Sequence, residues 1–333
     1  MRPRECRAGF SERLVLFRGR VVAKEANVVS VVILSYNNKE FLRKSITSAL
    51  ELDWPKLEVI VVDNASSDGT PEIVEEEFGK RVLLIRRSQN SPTAARNEGF
   101  NAARGDFILS IDNDIVLINK TVVRKAVSLF HQLPKVGVLA FKIGTTEDPD
   151  RPLREHWWHP VRFEDGENRF FYTDFFSEGA VFFRKRSLDA AGGYDESFFQ
   201  YYEGNDLAHK MMRKGYDILY CPCLSCGELR VRGFLHQERR AANYLSIRNS
   251  IWIVWKYQPI CWRAFFYVIG RIVGTGIDSM RFGWSDLFFK GARDGILAPK
   301  AVRIQRHPLS KADRRRIREI HRGIFCDKLV GSE

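Results

Sequence analysis

Polar residues cluster just past three apolar, β-branched runs: Ser35-Tyr36-Asn37 after Val28–Leu34, Asp63-Asn64 after Leu57–Val62, and Asp112-Asn113-Asp114 after Phe107–Ile111. In an open α/β sheet, the edge beyond the carboxyl ends of the strands is where ligands bind. Asp112 and Asp114 stand at i and i+2, so their carboxylates share a face. Hard oxygens placed that way suit Mg2+ or Mn2+, and such an ion can bridge a diphosphate and neutralise it as it leaves. The plainer reading of the Asp-x-Asp pair is a solvated acidic turn, and Asp68 reads as a helix cap. Three clusters on one edge exceed what capping requires. No Gly-x-Gly-x-x-Gly follows the first run, and the chain has no Walker lysine loop or Gly-x-Ser-x-Gly elbow. Nicotinamide, P-loop and α/β-hydrolase chemistries are therefore disfavoured.

The elements that must carry these clusters alternate. Strands are predicted at Val28–Leu34, Leu57–Asp63, Val82–Ile85 and Asp106–Asp112, with helices at Glu40–Leu52, Glu72–Phe78 and Thr93–Ala103 between them. In the first helix, Phe41, Leu42, Ile46, Ala49 and Leu50 recur at helical spacing. Strict alternation argues for an α/β domain with right-handed crossovers. Thr145–Tyr172 is rich in Pro, Trp and His and reads as a long functional loop. A strand at Gly179–Arg184, a short helix from Ser187, a helix at Asn205–Lys214 and a strand at Tyr216–Cys221 follow. Composition then turns basic and aromatic, which divides the chain into a leader (1–27), an α/β domain (28–227) and a helical region (228–333).

Lys and Arg number 53 against 41 acidic residues, a net charge of +12 that favours polyanionic partners. No RNA- or DNA-binding module is recognisable, so nucleic acid is not the expected partner. Met1–Lys24 is Arg-rich without a long apolar core, and no secretory signal is expected. Ile251–Ile277 is interrupted by Lys256, Pro259, Arg263 and Arg271, so it is not expected to span a bilayer. Trp252, Trp255, Tyr257, Trp262, Phe265, Phe266 and Tyr267 are interleaved with those cations. They read either as interfacial membrane helices or as a buried helical subdomain, and coincident aromatic belts and basic flanks favour the membrane. Cys221, Cys223 and Cys226 lack a matching second pair of ligands. Reduced thiols in a cytosolic protein are the plain reading, with a metal site or local disulfide as alternatives.

The strings Val31–Asn37, Val59–Gly69, Ala94–Gly99 and Asp112–Asp114, in this order and spacing, resemble the inverting glycosyltransferases of family 2. Gly179–Arg184, Gly192–Phe199 and Asp206-Leu207 with Gly215-Tyr216 are similar to its rhamnosyltransferase-like branch. The resemblance implies a GT-A-like nucleotide-diphospho-sugar transferase domain with a mostly parallel sheet, followed by the C-terminal helical region. It implies transfer of a sugar from a nucleotide-diphosphate donor to a glycan or lipid-linked acceptor in polysaccharide biosynthesis. The expected setting is the cytoplasm, peripheral on the anionic inner membrane face. By resemblance, Ser35, Tyr36, Asn37 and Asp63 would cradle base and ribose, with Asn64, Ser66 and Asn113 beside them. Arg96 and Asn97 would hold ribose or diphosphate, and Asp112 and Asp114 would flank Mg2+ or Mn2+. Glu178 and Gly179 would border the sugar and the acceptor.

Two departures stand out. The family usually begins the helix near Glu203 with a Glu-Asp pair whose Asp is the general base; here the pair is Glu203-Gly204. Glu203 is the expected substitute, kept ionised by the helix N-terminus, with Asp206 second; a non-catalytic sugar-nucleotide or glycan-binding relative is the rival reading. A family His sometimes found on the metal is replaced here by Glu228 or supplied by His236.

Overall fold

A computed structural model describes residues 27–229, 236–257, 283–297 and 307–326, with scattered positions between 269 and 280. The leader 1–26 and the expected membrane residues Trp262, Arg263, Phe265, Phe266, Tyr267 and Arg271 lie outside the described residues, as does the side chain of His236.

β1 (Val29–Ser35), β2 (Leu57–Asp63), β3 (Leu83–Arg86) and β4 (Phe107–Asp112) are parallel neighbours. All of β1 is buried, which is why it is a continuous Val/Ile run with no polar alternation. The sheet continues through β8 (Ala180–Arg184), antiparallel to β4 and to β6 (Val136–Thr145). β9 (Asp217–Glu228) runs parallel to β6, with β5 (Ile115–Val116) and β7 (Phe171–Thr173) antiparallel to it. The order is β3-β2-β1-β4-β8-β6-β9-β5, with β7 also on β9. The result is the expected mixed α/β, mostly parallel architecture.

Helices cover both faces. α1 (Lys39–Leu50) and α4 (Val122–Gln132) bury Leu42, Ile46, Ala49, Val123, Ala126 and Phe130 on one side. α3 (Pro92–Ala102), α6 (Lys185–Ala191) and α7 (Glu203–Arg213) cover the other, with Phe100, Leu188, Leu207 and Met211. Gly99 lets α3 sit close to the strands: a Cβ there would fall 2.5 Å from Val32 Cγ1 and 2.9 Å from Val62 Cγ2. After Gly69 the chain makes only a short helix, α2 (Thr70–Ile73), followed by a π-turn at Val74–Phe78.

The expected loop at Thr145–Tyr172 is more ordered than its composition suggests. It holds a 3-10 turn at Arg154–His156, a short helix α5 (Phe163–Gly166) and the start of β7. Phe171 is buried, and Trp157 packs edge-on against Tyr220. These aromatics are mainly core. Cys221 and Cys226 are buried in β9, and Cys223, Cys226 and Cys221 are all free thiols. Burial pushes all three thiols up, towards the protonated form.

Packing crosses the boundary expected at Gly227. α8 (His236–Tyr257) buries Trp252 and Tyr257, two residues expected at a membrane, because Trp252 packs edge-on against Phe198 and the Tyr257 hydroxyl reaches Asp206. Trp255 remains 40% exposed. α9 (Ser285–Ile296) lies against α8 through Phe288 and Ala292. α10 (Lys311–Ile320) follows, and its Ile320 enters the main core while Phe325 bridges to Phe171. Among the described residues no helix is long and apolar enough to cross a membrane.

Candidate active site

The three polar clusters meet at the carboxyl edge of β1, β2 and β4, which register side by side: Ser35 opposite Asp63, and Leu34 opposite Asp112. The turn after β1 is held open by Asn37 and Asn38 at φ 54° and 60°, a left-handed conformation that Asn tolerates better than most residues. The Asn37 amide donates to Ser66 Oγ (2.8 Å), its Oδ1 accepts from the Ser67 amide (2.9 Å), and Asn113 donates to its carbonyl (2.9 Å). Asp63 Oδ2 accepts from the Ser66 amide at 3.2 Å. Asn64 bridges to Asn90 (2.8 Å) and to the Ser91 amide (2.8 Å). These bonds leave Tyr36 48% exposed over the edge. Asp68, expected as a helix cap, precedes the N-cap Gly69 and accepts from the amides of Thr70 and Lys39 at 3.1 Å each.

Ser35 Oγ, Asp63 Oδ1, Glu178 Oε1 and Glu203 Oε2 are buried with no hydrogen-bond partner. A buried orphan acceptor costs about 1–3 kcal/mol. Buried atoms of Tyr194, Asp206, His209 and Trp252 also lack a hydrogen-bond partner; the four at this edge stand where a ligand could meet them.

Arg96, on α3, is buried beneath this edge. It donates to Ser110 Oγ at 3.1 Å and to Asp112 Oδ1 at 2.6 Å. Burial works against its charge, but Asp112, Tyr194, Glu178 and Glu203 overcome that and hold the guanidinium firmly protonated. Asn97, the next residue, faces elsewhere. Its amide donates to the Tyr194 carbonyl (3.0 Å) and Glu196 (3.1 Å) and its Oδ1 accepts from the Tyr194 amide (2.8 Å). With those bonds made, Asn97 fastens the loop after Gly193, and the expected donor contact is not where its side chain points.

Asp114 is pushed up to about 7, by burial first and then by Asp112 and Glu228. Glu228 is brought there by β9, where it registers with Ile115. His156, from the 3-10 turn, reaches Glu228 Oε2 at 2.8 Å and Ser177 Oγ at 2.9 Å. An imidazole therefore arrives beside the acidic pair from the central loop, a placement that sequence reasoning missed. Loop position gave no spacing signal for it. Asp112 and Glu228 both add negative charge at Asp114, a setting that a divalent cation would ease. Among the described residues no three His, Cys, Asp or Glu side chains close into a cage by themselves. The hard carboxylate oxygens of Asp112 and Asp114 are of the kind that would hold Mg2+ or Mn2+.

Across β4 lies a second carboxylate group. Glu178 precedes Gly179, whose carbonyl accepts from the Asp112 amide at 3.0 Å. Glu203 opens α7. Burial pushes Glu203 up to about 7, outweighing the expected helix-terminus effect, and raises Glu178 well above the carboxylate range, with the Glu203 charge adding to it. Two neighbouring carboxyls in a dry site hold one proton between them around neutrality.

Asp206 is sealed. Lys256 Nζ lies 2.7 Å from its Oδ1, the Tyr257 hydroxyl donates to the same oxygen at 2.7 Å, and its side chain is fully buried. Lys256 also pairs with Asp195 at 2.6 Å. Burial works to raise Asp195, but Lys256 and Ser197 hold it below the usual carboxylate range. Locked in this pair, Asp206 cannot approach an acceptor hydroxyl, so its expected second place as base gives way to a structural role.

Residues 30–192 match the family model for glycosyl transferase family 2. The succinoglycan biosynthesis protein ExoO of Rhizobium meliloti is 40% identical over 87 residues, covering 26% of this chain and 25% of that protein. The chain spans 27%, 25% and 36% of the length of three curated relatives it matches. Among solved structures, Staphylococcus aureus TarS 1–349 in complex with UDP-GlcNAc aligns with a TM-score of 0.58 at 18% identity, over 89% of each chain. The mannosyltransferase PcManGT of Pyrobaculum calidifontis, in complex with GDP-Man and Mn2+, aligns with a TM-score of 0.54 at 18% identity, over 90% of this chain and 85% of that one. At such identities the likeness speaks for the fold alone. The strand-edge clusters all lie within residues 30–192, the segment that matches glycosyl transferase family 2.

Proposed function

We propose that the chain is an inverting glycosyltransferase that moves a sugar from a nucleoside-diphosphate donor to a hydroxyl of a glycan or lipid-linked acceptor. The observation that carries this is the meeting, at one sheet edge, of Asp112 and Asp114 with buried Arg96 and the carboxyls of Glu178 and Glu203. In this reading Ser35, Tyr36, Asn37, Asp63, Asn64, Ser66 and Asn113 cradle the nucleoside. Asp112 and Asp114 would hold Mn2+ or Mg2+, which when bound supplies positive charge to the departing diphosphate. Arg96 fixes Asp112 and adds a positive charge beneath it. One carboxylate of the Glu178–Glu203 pair takes the proton of the acceptor hydroxyl as its oxygen displaces the diphosphate in a single step. The donors bound by TarS and PcManGT, UDP-GlcNAc and GDP-Man, support the donor class.

The acceptor side is proposed to face an anionic membrane from the cytoplasm. Support comes from Met280, Phe289 and Leu297, which are 65–67% exposed close in sequence to Lys290 and Arg293. Such apolar residues with basic neighbours suit a lipid interface.

Thermal stabilisation by UDP, GDP or dTDP with Mn2+, reversed by EDTA, tests the donor reading. Release of nucleoside diphosphate from UDP-GlcNAc or GDP-mannose tests turnover. No stabilisation by any of the three nucleotides would overturn the proposal, and stabilisation without turnover across an acceptor panel would favour the binding-protein reading. Failure to pellet with phosphatidylglycerol vesicles at low salt would remove the membrane.

A further inference from the structure

The helix start that resembles the family's Glu-Asp pair carries no side chain at its second position. The reason is visible across the site. A Cβ built on Gly204 would lie 2.0 Å from Glu178 Oε1, 2.8 Å from its Cδ and 3.0 Å from Oε2. Contacts that short exclude any side chain at 204 while Glu178 is in place. The carboxyl group of Glu178 fills the volume a residue-204 side chain would take. The carboxyl carbon of an aspartate at 204 would stand one bond, about 1.5 Å, beyond that Cβ. The two arrangements therefore present the same functional group in nearly the same place, one delivered from α7 and the other from the residue leading into β8.

Two further observations bear on what Glu178 does there. Its Oε1 is buried and has no hydrogen-bond partner, which is how an acceptor stands when its donor comes from a ligand. Its backbone is tied to the Asp-x-Asp strand, because Gly179 accepts from the Asp112 amide at 3.0 Å and Ala180 registers with Ile111. A carboxylate fixed through that strand keeps a set distance from Asp112.

We propose that Glu178 is the general base of the transfer, replacing an acidic residue at position 204 by delivering the carboxylate from the turn that leads into β8. The inference rests on the glycosyltransferase reading and adds to it. The acceptor oxygen forms its bond to the anomeric carbon, and the bond from that carbon to the diphosphate oxygen breaks, its electron pair leaving with the phosphate. The hydroxyl proton passes to Glu178 Oε1. Glu203 is a positioning residue that holds the pair's one proton in the reacting complex, which leaves Glu178 ionised to accept.

The experiment measures nucleoside diphosphate release from UDP-GlcNAc and GDP-mannose, and UDP and GDP binding with Mn2+, in the full chain. Glu178→Gln is expected to bind nucleotide like the wild type and to lose at least about a hundredfold in kcat. Glu178→Ala combined with Gly204→Asp moves the carboxylate back to the helix. It is expected to recover turnover to within about tenfold of wild type, whereas Glu178→Ala alone does not. Recovery separates a base from a packing residue, because packing has no reason to return with a charge on another element. Wild-type kcat in Glu178→Gln would overturn the inference, and so would a double variant that binds nucleotide but stays as inactive as Glu178→Ala. Absence of turnover in the wild type would instead fail the glycosyltransferase reading itself, so the two failures are distinguishable.

Discussion

The donor half and the acceptor half of the site are built in different ways. The donor half is local: Ser35, Asp63 and Asp112 lie at the ends of adjacent parallel strands, and short turns hold their neighbours by hydrogen bonds among Asn37, Ser66 and Asn113. The acceptor half is assembled over long range. Glu178 fills the space at Gly204, and Lys256, far along the chain on α8, clamps Asp195 and Asp206. Asn249 donates to the carbonyls of Phe198, Gln200 and Tyr201. A ligand edge can come from one repeating unit of strand and turn, but a specific acceptor wall needs the rest of the molecule to press on it. Changes in the donor half should therefore remove binding and leave the fold, and changes in the acceptor half should do the reverse.

The largest effect is expected where the donor half is cut. Asp112→Ala and Asp114→Ala should each abolish Mn2+- or Mg2+-dependent binding of nucleoside diphosphate; Asp114→Ala should leave the unfolding midpoint little changed, whereas Asp112→Ala should also lower it by stranding buried Arg96. Each substitution removes a charged oxygen ligand. Titration calorimetry with and without EDTA checks this, and equal metal-dependent affinity in wild type and both variants would break the comparison.

Next in size is Lys256→Met on the acceptor side. It leaves buried Asp195 without its cation and Asp206 with only Lys210, 3.7 Å from its Oδ2, and breaking a buried pair from one side costs about 3–5 kcal/mol. Urea unfolding should show that loss, with UDP affinity in Mn2+ nearly unchanged for the molecules still folded. A loss under about 1 kcal/mol would mean water already reaches the pair.

The same division explains what was legible in the sequence. Apolar runs followed by polar clusters located β1, β2 and β4 and the ligand edge, because strand period and strand-end position are local properties. α4 and β6 carry none of the strand-edge polar clusters, and the central loop disguised its core as function: Trp157 and Phe171 are packing residues. Gly204 was visible as a departure, but its cause was not, since Glu178 and Gly204 are brought together only by the fold. Trp252 and Tyr257 read as membrane aromatics because composition cannot separate a lipid interface from a protein one. His156 reached Glu228 from a segment with no period at all.

A smaller effect should appear with pH. Glu203 is raised from an ordinary carboxyl value of 4.5 to about 7 by burial. The folded state then holds a proton that the unfolded chain releases. Stability from this group is fully present below pH 4.5 and is lost as pH rises through 7. Because the tighter hold on that proton is shared with Glu178, the loss is on the order of 1–3 kcal/mol. Glu203→Gln, which stays neutral, should flatten the fall in unfolding free energy between about pH 5 and 8. An unchanged slope would show that the pair titrates elsewhere.

Asn249→Ala should have a modest effect on stability and the most selective one on transfer. The loop before α7 holds Phe199, Tyr201 and Tyr202 at φ 65°, 66° and 66°, a conformation that costs non-glycine residues energy and persists only when neighbours enforce it. Asn249 is that enforcement. Its amide reaches the carbonyls of Phe198, Gln200 and Tyr201 at 3.0, 2.8 and 2.7 Å from a fully buried position. Removing it frees acceptors that water can partly satisfy, so the cost should be about 1–2 kcal/mol. The relieved loop would shift Tyr202 and with it Glu203, whose place beside Glu178 depends on where α7 begins. Nucleotide binding, held by the strands, should stay within about twofold of wild type, while kcat falls about tenfold or more. Side-by-side calorimetry and nucleotide-release kinetics read both quantities. A parallel loss of UDP affinity would mean that the two halves are one mechanical unit, and the contrast between local and long-range construction would not extend to function.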